Sequence, residues 1–135
     1  MKRSIYIIIL VLLSIASNSS AQDLSNKGRE FWVGYGSHVS MYDNNGGLLT
    51  NGGAQDMVLY FTSDRDANVT VEIPAVGWKE TYKVSANQVT TSSVMPKSGA
   101  QDARIGLEGK NKNGIHITSD VSIIAYAHIY NSSIS

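Results

Sequence analysis

The chain has no cysteine. That removes a disulfide framework, a thiolate metal site and a lipid-modified N-terminal cysteine, so the fold must be held by its apolar core, a metal bound by other ligands, or neighbouring domains. Small exported domains of eukaryotic origin tend to be disulfide-rich, and a cysteine-free one leans bacterial. Charge is sparse as well, at 16% of residues, with Lys and Arg balancing Asp and Glu. These charges are dispersed, and no basic patch offers itself to nucleic acid or anionic lipid. Past the first residues there is no apolar run of the roughly 20 residues a membrane-spanning helix needs. Membrane insertion after processing is therefore not expected.

The start of the chain carries the clearest positive signal. Lys2 and Arg3 precede an unbroken apolar run from Ile5 to Leu13, and Ser19-Ser20-Ala21 offers small residues ahead of Gln22. A basic start, an apolar stretch of about 7–15 residues and a small-residue exit are the marks of a secretory signal peptide. The reading is a signal over residues 1–21, cleaved between Ala21 and Gln22, and a single β domain over 22–135. The protein is expected to be secreted or displayed at the cell surface.

From Glu30 onward apolar residues recur with a period of two, which places side chains on alternate faces of strands. Phe31, Val33 and Tyr35 share a face of a first strand. Met57 to Phe61 is apolar on both faces, as a strand covered from two sides would be. Val69, Val71 and Ile73 alternate with polar residues, and Pro74-Ala75-Val76-Gly77 turns the chain into a strand from Trp78 to Val84, a hairpin. A shorter strand follows around Val89 to Val94. Ile115 to Thr118 and Val121 to Tyr130 close the chain, the latter apolar on both faces and expected to leave a sticky edge unless more chain covers it. The expected class is all-β, an antiparallel β-sandwich-like fold that forms an incomplete part of a larger β domain.

Met41 to Gln55 and Pro96 to Gly114 read as long loops, the places where a ligand surface is expected. His38, Tyr42 and Asp43, at the start of the first loop, are the candidate binding residues. Trp32, Trp78, Tyr35, Tyr42 and Tyr82 are flat apolar surfaces of the kind on which sugars or partner proteins stack; core packing accounts for most of them, and Tyr42 is the one expected to be exposed. Asp64-Arg65-Asp66-Ala67-Asn68 alternates oxygen ligands as calcium loops do. It lacks the glycine and the closing carboxylate that an EF-hand loop needs, which favours a polar hairpin turn. His38, His116 and His128 are too far apart in sequence for a zinc-ligand spacing. No Gly-x-Ser-x-Gly elbow or His-Glu-x-x-His helix appears. The expectation is therefore no catalytic residue, no metal and no cofactor.

Gly28-Arg29-Glu30-Phe31-Trp32, Met57-Val58-Leu59-Tyr60, Ala67-Asn68-Val69-Thr70-Val71, Gly77-Trp78, and Gly114-Ile115-His116-Ile117-Thr118-Ser119-Asp120 running into Val121 to Tyr126 together resemble the opening part of the IgGFc-binding protein N-terminal domain family. The resemblance covers nearly the whole chain after the signal. It implies an extracellular, non-enzymatic β domain, followed by further domains of the same polypeptide and binding a protein or glycan such as mucin. It transfers no binding residue. The expected function is an adhesion or interaction module. The alternatives are an accessory β domain of a larger extracellular hydrolase and a structural spacer with no ligand.

Overall fold

The computed structural model describes residues 26–36, 38–49, 55–106 and 109–131. The signal segment and the Ala21–Gln22 junction lie outside them. The chain is all-β, with strands β1 (Gly28–Val33), β2 (Gln55–Thr62), β3 (Ala67–Ile73), β4 (Trp78–Val84), β5 (Val89–Thr91) and β6 (Ile115–Asn131) in an antiparallel sheet that folds nearly closed. Among the described residues no helix is long and apolar enough to cross a membrane.

The six strands behave as three long, bent ribbons plus β1. Val84 lies opposite Ala67 and Val89 opposite Thr62, so β4 and β5 keep one unbroken register along β3 and β2. In the same way β2 pairs with Ile124–Asn131 and β3 with His116–Ser119, one after the other along β6. Val69 lies seven positions after Thr62 while their partners Ser119 and Ile124 are five positions apart, and this excess bends the sheet, as bulges do. The final segment, expected as two strands, is one, because Ser119-Asp120 makes no turn. The Asp120 carboxylate instead accepts the Asn68 backbone N–H at 2.9 Å and side-chain amide at 2.7 Å, bridging the bend and holding that carboxyl below its ordinary range. Ser63 pins the same corner, donating its hydroxyl to the Ser122 carbonyl.

Period-two patterning then decides what is buried. Met57, Leu59 and Phe61 of β2, Val69, Val71 and Ile73 of β3, and Ile115, Ile117 and Ile123 of β6 point inward and are fully buried. Tyr35 shares the inward face with Phe31 and Val33, as expected, but it lies beyond β1 in a single bridge to Arg104. Burial and the nearby Asp56 charge push its phenol up to about 12, and its hydroxyl donates to the Gln55 carbonyl.

The β3–β4 hairpin forms where expected. Gly77 sits at φ 66°, the left-handed conformation that glycine adopts at no steric cost, and closes the Pro74–Val76 turn. Trp78 and Tyr82 are half-buried against the core, also as expected.

Candidate functional site

The two long loops are sewn to one another. The Tyr42 hydroxyl donates to the Gly106 carbonyl at 2.6 Å, and Leu48 packs against Gly106. Arg104, only 3% exposed, donates from Nε and Nη2 to the Asp102 carboxylate and from Nη2 to the Leu49 carbonyl. Burial opposes ionisation of Asp102, but the Arg104 hydrogen bonds prevail and hold its carboxyl below the ordinary range. Asn113 binds the carbonyls of Asp102 and Arg104, and Met41 is inserted into the core. The loops cover the core rather than open a cleft.

Within that cover the three candidate loop residues have local work. Tyr42, expected to be exposed, is half-buried against the core. Asp43 folds its own turn, accepting the backbone N–H groups of Asn45 and Gly47 at 2.8 Å each, as turn-forming Asp side chains do. His38 is exposed as expected and caps the short Val39–Met41 turn, its Nδ1 accepting the Ser40 N–H. The three side chains do not converge on a common point.

The oxygen-rich Asp64–Asn68 segment is likewise divided among separate partners. Asp64 pairs with Lys27 at 3.3 Å, Asp66 accepts the Ala86 N–H, and Asn68 binds Asp120. Shallow clefts of about 230, 190 and 290 Å³ cluster at this bend. They fall below the roughly 300–1,000 Å³ of most small-molecule sites. No group of three or more potential ligands suited to a metal ion occurs among the described residues.

The arrangement with the most developed chemistry lies on the outer face of β1, β6 and β3. Register places Trp32 opposite His116, His116 opposite Glu72 and Glu72 opposite Lys79, one row across four strands. The Trp32 indole stacks on the His116 imidazole, centroids 4.2 Å apart and planes within 13°. His116 is gripped at both ring nitrogens, Nδ1 by Glu72 at 3.0 Å and Nε2 by Glu30 at 2.9 Å. Glu72, and then Glu30, raise the imidazole above its ordinary value of 6.5 despite the opposing effect of burial. In turn His116, and then Lys79 at 3.5 Å, hold the Glu72 carboxyl below its ordinary 4.5.

This geometry favours a doubly protonated ring with no free lone pair to accept a substrate proton. Its two nitrogens also face opposite ways, which bars them from one metal ion. What the cluster does is fix an indole: Trp32 is 60% exposed, its ring stacked on His116 and its Cε3–Cζ3 edge lying close to Gly114. Sequence reasoning assigned Trp32 to the core. The signal that would have corrected it was present, since Trp32 falls on the face opposite Phe31 and Val33.

A second aromatic group occupies the outer face of β2 and the far half of β6. Tyr60 faces Tyr126 across the strands, and His128 lies 6.1 Å from Tyr60 and 5.6 Å from Tyr130, ring centre to ring centre. Tyr126 is 56% exposed and Ile129, on the other face, 38%. No family model, curated protein or solved structure matches the chain.

Proposed function

We infer that the chain is a non-enzymatic interaction module of a secreted or cell-surface protein, binding a protein or glycan ligand on the outer face of its sheet. The observation that carries this reading is the exposed Trp32 indole, held flat by a histidine that two carboxylates lock in place. An aromatic ring fixed in advance loses little entropy on binding, and Trp is the residue most often found to dominate interfaces. A sugar can lay its C–H face on the exposed part of the indole, with the Glu30 carboxylate nearby as a hydrogen-bond acceptor. The likeness to the IgGFc-binding protein N-terminal domain supports the reading: of the segments that carry it, Gly28–Trp32 and Ala67–Val71 each pair with the Gly114–Asp120 segment in this patch.

The test is binding of the folded protein to immobilised mucin, a glycan panel and IgG Fc, beside Trp32→Ala. Truncating a central Trp should cost at least about 1.4 kcal/mol, a tenfold loss of affinity. Equal binding by both proteins, or no binding to any of the three, would count against this surface. The alternative of an accessory or spacer domain draws its support from the open edge of β6.

A further inference from the structure

β6 is the longest strand, and its second half is the least protected part of the sheet. Ile124–Asn131 pairs with β2 along one edge, while its other edge has no strand against it among the described residues. Such an edge presents a row of backbone donors and acceptors that will template another strand unless charge, proline or a bulge blunts it. Charge guards two other outer strands, with Arg29 and Glu30 on β1 and Lys79, Glu80 and Lys83 on β4, while the outer strand β5 is only three residues long. From Val121 to Asn131 there is no Lys, Arg, Asp or Glu and no proline. Both faces of this half are also exposed at Tyr126, Ala127, His128 and Ile129.

We propose that this edge is an interface at which a second copy of the chain adds its own β6, antiparallel and about a two-fold axis. The argument for a copy is self-complementarity. Tyr126-Ala127-His128-Ile129-Tyr130 is symmetric in its outer tyrosines and complementary in size between Ala127 and Ile129. Centred on His128, antiparallel pairing sets Tyr126 of one copy opposite Tyr130 of the other, and Ala127 opposite Ile129. Both pairs occur twice, tyrosine against tyrosine and small against large. Centred on Ala127, Ile129 again meets an alanine, Ala125. Directly opposed side chains on one face are the unit of sheet stabilisation, and an isologous contact of this kind closes at two copies. Charge matches too. The copy brings no charge to an uncharged edge, whereas β1 or β4 would bring ionised side chains against Ile129 and Tyr126.

The chain's lack of cysteine makes the experiment direct. Ala127→Cys and His128→Cys are each made as the only cysteine in the protein and oxidised under mild conditions, with Thr81→Cys on β4 as control. Opposed residues at a two-fold centre bring their Cα atoms within the roughly 4.4–6.8 Å that a disulfide requires. The expected result is a covalent dimer from one of the two β6 variants, which also fixes the register, and none from the control. Sedimentation of the unmodified protein should show a concentration-dependent dimer that Ile129→Lys abolishes. A monomer at every concentration with no selective cross-link would overturn the proposal. So would protection, in the monomer, of the Ile124–Asn131 amides that point away from β2, because another strand of the same polypeptide would then occupy the edge. Should Ile129→Lys fail to fold, the cysteine variants still decide. Dimerisation is read without any glycan or Fc present, so its failure is separate from failure of binding at Trp32.

Discussion

Ile115–Ser119 and Ile124–Asn131 are two halves of one strand, and each carries a histidine beside an aromatic ring on the outer face. In the first half β1 and β3 lie on both edges, the inward residues Ile115 and Ile117 are fully buried, and His116 is held by Glu30 and Glu72. In the second, β2 is the only strand paired among the described residues, the inward Ile129 reaches solvent, and His128 has tyrosine rings for neighbours. Apolar β-strand residues thus serve as core where neighbours cover both edges and stay exposed where, among the described residues, only one edge is paired. Neighbours, rather than residue type, assign the role.

The contrast is broken most severely by truncating the same residue type in each half. Ile117→Ala should destabilise by about 2–5 kcal/mol, the cost of a core cavity. Ile129→Ala should cost less than about 1 kcal/mol, as solvent-facing substitutions usually do. Equal losses in urea denaturation would show that the second half is buried as well.

A smaller effect separates the two histidines. His116→Gln removes the stack beneath Trp32 and should cost about 0.5–1.5 kcal/mol, the worth of an aromatic pair. It should also change the pH profile of stability. With His116 raised above 6.5, its contribution is complete below that value and fades as pH rises through the folded-state value. With Glu72 lowered below 4.5, its share is present above 4.5 and is lost as pH falls through its folded-state value. The clamp therefore contributes most between about 4.5 and 6.5. Melting curves of the Gln variant should lose the decline on the alkaline side, and a profile that keeps it would assign that decline to another group.

Much of the fold was legible because period two is a strong signal wherever one face is buried. The inward residues of β2 and β3, the Pro74–Gly77 turn and the apolar character of β6 on both faces could be read directly. Continuity was not legible. Ser119-Asp120 looks like a break and acts as a bridged bend, because Asn68 lies distant in sequence and adjacent in space. The site was less legible still. Loop composition drew attention to His38, Tyr42 and Asp43, whose hydrogen bonds prove local or structural. The Trp32–His116–Glu72 row depends on register between β1, β6 and β3, and alternation within a single strand cannot supply register.

The most direct measurement is amide hydrogen exchange along β6, on dilute protein. The account expects continuous protection through Ile115–Ser119, where both edges are paired. It expects every second amide to be protected across Ile124–Asn131, where β2 is the only paired strand among the described residues. Uniform protection across both halves, or none in either, would contradict it.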